Sequence, residues 1–91
     1  MLNERIKQLR TDRNLTQVGL AKGLSVSKQA VSNWENDNIQ PSIDMLVKIA
    51  DYFSVSTDYL LGRDDRRYLE VTGLTESKIS HLQQIIDDML S

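Results

Sequence analysis

The chain has 91 residues, of which 40% are apolar and 26% charged, ordinary values for one soluble globular domain and too few residues for two. It contains no cysteine, which excludes a disulfide framework, a cysteine-based metal site and a thiol nucleophile, and which fits a reducing cytoplasm. The net charge of −2 is unevenly spread: residues 1–40 carry six Lys/Arg against four acids, and residues 64–91 carry three against six, so a polyanionic partner has to meet a face of the N-terminal part.

Helical periodicity runs almost throughout, so an all-α fold is expected. Leu2, Ile6 and Leu9 recur at helical spacing, with Asn3 as a candidate cap and Asn14 suited to a left-handed end. A second helix is expected to start after Thr16, a good N-cap, and to run to about Lys22. A third has Ser27 as its cap and runs to about Glu35. The single proline, Pro41, closes the segment that follows. Ser42 then caps a fourth helix with apolar positions 43, 46, 47, 49, 50 and 53. Ser56 or Thr57 caps a short fifth helix over 58–61, and Gly62 ends it.

Residues 63–67 are all charged and read as a linker. Tyr68, Leu69 and Val71 follow, then Thr72 and Gly73 as a turn. A last helix begins at Thr75, with Glu76 well placed in its first turn, and runs to about Leu90. This divides the chain into a five-helix unit over 1–62, the linker, and a C-terminal amphipathic segment over 68–91. No apolar run approaches the roughly 20 residues needed to span a membrane, and no membrane partner is expected.

The informative stretch is 16–36, two short helices joined by about four residues. Leu20 and the small Ala21 are inward on the first, and Val26 fills the turn. Val31 and Trp34 are inward on the second, with Ala30 beside them. What is left is one polar face made of Ser27, Lys28, Gln29, Ser32 and Asn33. Gln and Asn can bond bidentately to the N6 and N7 edge of adenine, Lys can reach guanine, and Ser can bond either kind of edge. Such a face on the second of two short helices fits the major groove of double-stranded DNA. Gln17, at the start of the first helix, offers an amide and a backbone N–H to a phosphate.

This stretch resembles the Xre-type, or Cro/repressor-type, helix-turn-helix domain of phage and bacterial regulators. The resemblance rests on Leu15-Thr16-Gln17, Leu20-Ala21, Val26-Ser27, Gln29, Val31-Ser32, Trp34-Glu35, Pro41-Ser42 and Leu46, with Leu60-Leu61-Gly62 like the end of the family's five-helix domain. It covers about residues 2–62. It implies a five-helix repressor-like bundle, with the third helix reading bases. It also implies phosphate contacts from Thr16, Gln17, Asn36, Asn38 and Gln40, and a structural ion pair between Arg10 and Glu35. The chain departs from the pattern where Ser25 holds a turn position usually filled by Gly, which demands a left-handed serine or a shifted turn. Gly19 and Gly23 each weaken the second helix by about 1 kcal/mol relative to Ala.

No Ser/His/Asp set, paired carboxylates, phosphate loop or metal spacing stands out, so neither an enzyme nor a cofactor is expected. The lone His81 has no companion ligand. In the last helix Ile79, Leu82, Ile86 and Met89 fall at a and d positions of two heptads, a candidate homodimer contact, with packing back on the bundle as the alternative. The expectation is a cytoplasmic, homodimeric DNA-binding repressor. Any control would come through the dimer equilibrium or a regulatory protein touching the last helix. The rival reading is a protein-interaction module such as an antitoxin or adaptor.

Overall fold

The computed structural model describes residues 1–91 as six helices and no strand. They are α1 (Leu2–Asp12), α2 (Gln17–Leu24), α3 (Lys28–Glu35), α4 (Ile43–Phe53), α5 (Thr57–Leu60) and α6 (Glu76–Leu90). The caps explain most of the boundaries. Thr16, Ser27, Ser42, Ser56 and Thr75 each precede a helix in extended backbone, and each hydroxyl accepts a backbone N–H of the first turn. Each such bond is worth about 1 kcal/mol of helix stability. Ser56 rather than Thr57 caps α5, which therefore starts one residue earlier than expected.

Two local expectations are corrected. Asn3 lies inside α1, whose N-cap is Met1, and its side chain accepts from the terminal amino group instead. The second helix runs past Lys22 to Leu24, because Leu24 is wholly buried and extends the apolar stripe by one turn. Ser25 then takes φ 58° and ψ 43°, so the serine adopts the left-handed conformation itself rather than shifting the turn. Asn14 does the same at φ 57°, as expected for that residue type.

Five helices surround one core. It comprises Ile6 and Leu9 from α1, Leu20, Ala21 and Leu24 from α2, Val31 and Trp34 from α3, Ile49, Ala50 and Phe53 from α4, and Leu60 from α5. Burying each large aliphatic member stabilises the fold by about 1.5–3 kcal/mol. Ala21 is small because α3 crosses α2 there. The apolar stripe of α4 is narrower than its sequence suggests: Ile43 is 81% exposed and Val47 also faces solvent, while Met45 packs on the core in their place. Gly23 has a packing reason, since a Cβ there would fall 2.6–2.8 Å from the Tyr52 ring. Its cost in helix propensity is thus offset by letting α4 come close to α2.

Basic side chains close several helix ends. Arg13 donates to the carbonyls of Tyr52 (3.2 Å) and Phe53 (3.1 Å) at the end of α4. The Lys48 ammonium donates to the Leu24 carbonyl at the end of α2 (2.6 Å). Both satisfy orphan carbonyls and place positive charge at the negative end of a helix dipole. The charged stretch 63–67 is not a free linker. The N–H groups of Arg63 and Asp64 both donate to the Asp58 carbonyl (2.8 and 3.3 Å). Asp65 pairs with Arg5, and the guanidiniums of Arg5 and Arg67 lie 4.1 and 5.5 Å from the Tyr59 ring centre.

Helix α6 is different. None of its residues is buried, and none contributes to the core. Its apolar stripe does not pack back on the bundle. No helix is long and apolar enough to cross a membrane.

Candidate nucleic-acid interface

The interface is built on α2 and α3. Ser27 accepts from the Ala30 N–H at 3.1 Å and fixes where α3 begins. That leaves the first N–H groups of the helix, those of Lys28 and Gln29, without partners in the chain. Val31 and Trp34 anchor the opposite side of α3 in the core. Packing thus forces Ser27, Lys28 and Gln29 outward, where all are exposed, with Ser32 and Asn33 half-buried beside them. The structure brings all five expected base-reading residues onto one face.

The polar groups of that face are ordered among themselves. Gln29 donates its amide to Asn33 Oδ1 at 3.0 Å, and Asn36 donates its amide to Ser32 Oγ at 3.2 Å. The first bond spans one helical turn and leaves free an acceptor, Gln29 Oε1, beside a donor, Asn33 Nδ2.

The acid of this helix is removed from the face. Glu35 is buried, its side chain 2% exposed, and Arg10 grips it bidentately, Nε to Oε2 at 2.6 Å and Nη2 to Oε1 at 3.0 Å. Arg10 Nη1 also donates to the Leu15 carbonyl at 2.7 Å, tying α1 to the start of the motif. The hydrogen bonds it donates to Glu35 hold the Arg10 guanidinium above its ordinary pKa, against the opposing pull of burial. The structure thus brings Arg10 and Glu35 together as an ion pair.

Gln17 joins the same cluster, which the spacing of the sequence does not reveal. Its amide donates to Glu35 Oε1 at 3.2 Å, so its side chain is half-buried. The backbone N–H groups of Gln17 and Val18 remain unpaired at the start of α2. Thr16 is exposed, with its hydroxyl accepting from Gly19 N–H at 2.9 Å. Asn36, Asn38 and Gln40 are exposed in the segment after α3. Asp37 turns that segment at φ 58°, and the N–H of Asn38 donates back to the Asn33 carbonyl at 2.9 Å. The phosphate candidates thus fall into two groups, one at the start of α2 and one after α3, flanking the polar face in sequence.

The ends of α6 and α3 share no side-chain bond. Ile79 and Leu82 are half-buried, while Ile86 and Met89 are exposed with Ile85 and Leu90. No three His, Cys, Asp or Glu side chains cluster as a metal site would need.

A five-helix bundle that offers one polar helix face, set by a three-residue turn against a second short helix, is a helix-turn-helix DNA-binding domain of repressor type. A helix-turn-helix family profile matches residues 6–60, and the chain belongs to that family, in its Xre/Cro branch. It is 34% identical over 87 residues to the transcriptional regulator ImmR of Bacillus subtilis, covering 96% of this chain and 68% of that protein. It is 44% identical over 63 residues to the transcriptional activator BcrR of Enterococcus faecalis, covering 69% of this chain but only 31% of the relative. Among solved structures, the c2 repressor of phage P22 in complex with a synthetic operator superposes with a TM-score of 0.66 at 33% identity, over 70% of this chain and 97% of that one. These relatives are regulators, which places the chain among DNA-binding transcription regulators rather than enzymes.

Proposed function

We propose that the protein is a sequence-specific, double-stranded DNA-binding transcription regulator, a repressor, that acts as a homodimer in the cytoplasm with α3 in the major groove. One observation carries this reading. The exposed face of α3 holds a lysine, two amides and two hydroxyls and no carboxylate, because the helix's acid is turned inward onto Arg10. A face cleared of negative charge suits a polyanion, whereas an ordinary solvated helix face mixes both signs.

The Gln29–Asn33 pair supports the same reading. Its free acceptor and free donor complement the N6 amino group and N7 of adenine. Lys28 suits guanine O6 and N7. Thr16 and the unpaired N–H groups at the start of α2, with Asn36, Asn38 and Gln40, suit the flanking phosphates. The kinship with a repressor solved on its operator agrees with this assignment.

The modest basic surplus of residues 1–40 in one copy, six Lys/Arg against four acids, favours two copies on a two-fold symmetric site, with half-sites about 34 Å apart. The stripe of half-buried Ile79 and Leu82 and exposed Ile86 and Met89 supports a dimer contact. The same stripe is where a regulatory protein would act on the dimer equilibrium.

Mobility shift against random duplexes at two salt concentrations tests the reading. With about six phosphate contacts, the log–log salt slope is near −5. No shift at low salt would reject DNA binding and leave the protein-interaction module standing.

A further inference from the structure

Helix α6 stands clear of the bundle. The chain measures 44 × 24 × 23 Å, and its radius of gyration is 15.3 Å, against about 12 Å for a compact chain of this length. The 15 residues of α6 rise about 22 Å, half of the long dimension, and none of them is buried. The helix is therefore a stalk, and the bundle at its N-terminal end is about 23 Å across. Covering the apolar stripe of such a stalk is favourable. The stripe is also laid out evenly about one point: Ile79 and Met89 each stand five residues from Gln84, and Leu82 and Ile86 each stand two from it.

We propose that two copies pair through α6 as antiparallel helices, about a two-fold axis that crosses the pair at the level of Gln84. Ile79 then lies level with the partner's Met89, and Leu82 with the partner's Ile86, so apolar layers close along the whole helix. Ile85, exposed on the flank of the stripe, comes beside the partner's Ile85 near the axis. Two observations select this orientation over a parallel pair. Parallel helices, with axes about 8–10 Å apart, would bring both bundles to the same end, where each needs about 23 Å. The antiparallel pair sends the bundles to opposite ends. Parallel helices would also set like ends together, each C-terminal end carrying Asp87 and Asp88 and no base in its last turn. The antiparallel pair sets that acidic end beside the partner's N-terminal end, where the helix dipole is positive and Lys78 offsets Glu76. The pairing deepens the homodimer reading, on which it rests: it makes α6 a spacer that holds the two bundles, and with them the two copies of α3, apart.

Spin labels on the full chain test the orientation. The chain has no cysteine, so Gln83→Cys and Glu76→Cys each carry a single label, and both positions lie on one flank of the stripe. In the antiparallel pair the labels at 83 sit about 10 Å apart, near the axis, and those at 76 about 25 Å apart, toward opposite ends. A parallel pair would bring the labels to within about 10 Å at both positions. Sedimentation equilibrium of the unaltered chain finds the dimer, and Leu82→Asp, which sets an unpaired charge against the partner's Ile86, weakens it by about tenfold or more. The bundle of that variant melts as before, because α6 adds nothing to the core. An unaltered chain that stays monomeric, labels at 76 as close as those at 83, labels at 83 far apart, or a Leu82→Asp variant that associates undiminished overturns the pairing. Binding of the unaltered chain to random-sequence duplex at low salt is measured alongside. If it binds none, the DNA reading fails while the label distances still judge the pairing; a monomer that binds duplex keeps the DNA reading and ends the pairing.

Discussion

Helices α3 and α6 are both amphipathic, yet they end in opposite situations. In α3 the apolar side is met inside the chain: Val31 is wholly buried and Trp34 nearly so, and only the polar side is left for a partner. In α6 the apolar side itself is left open, and no residue is buried. The same 3.6-residue periodicity therefore specifies a folded face in one region and an unmet one in the other. What separates them is the neighbourhood. Helix α3 packs against α1 and α2 and follows α2 after only three residues, whereas α6 follows fifteen residues without a helix. A recognition surface is fixed by what lies beneath it, and an association surface by what is missing above it.

Four changes break or sharpen this contrast. Removing residues 68–91 has the largest effect: sedimentation finds no dimer, while the bundle keeps its unfolding midpoint in dilute solution, because the core lies wholly within the first five helices. A dimer that survives the truncation would move the interface into the bundle. Next, Arg10→Ala strands a buried Glu35 and costs about 3–5 kcal/mol in urea unfolding. Arg10→Met combined with Glu35→Leu recovers most of that loss, since apolar replacement of a buried pair is often neutral. If Arg10→Ala costs less than 1 kcal/mol, the pair does not hold α1 against α3. Gln29→Ala, on the exposed side, leaves stability unchanged but costs about 1–3 kcal/mol of binding to the selected site and much less on random DNA. Equal losses on both would mean that Gln29 reads no base. The smallest effect is a gain: Ser25→Gly relieves the left-handed serine and raises stability by about 1 kcal/mol, read from the shift in urea midpoint.

Residues whose role is local were legible in the sequence. Hydroxyl caps announce helix starts because the bond they make lies three residues away: Thr16, Ser27 and Ser42 cap where they were expected, Ser56 is one of the two candidates for α5, and Thr75 caps the helix that was expected to begin there. The α3 face was legible for the same reason, as was the inward Trp34. The pair of Arg10 and Glu35 came from family likeness, since 25 residues separate its members. Long-range polar bonds left no periodic trace: Lys48 on the Leu24 carbonyl, Arg13 on the end of α4 and Gln17 on Glu35 all depend on how helices meet. The charged stretch 63–67 read as a linker because composition cannot show that Tyr59 and Arg5 will be there to receive it. Ile43 and Val47 fit the apolar stripe of α4 by spacing alone, but no neighbouring helix reaches them.

The chain also spends much of its cationic charge on itself. Arg5, Arg10, Arg13 and Lys48 are all engaged with internal carboxylates, rings or carbonyls. Each of these four, of eleven Lys and Arg in all, is lost to the displacement of the counterions that coat any duplex, whatever its sequence. On the proposed reading, random chromosomal DNA then competes less for the protein than it would with those four cations free. Occupancy of a regulatory site would depend less on the size of the genome around it and more on how many copies the cell holds.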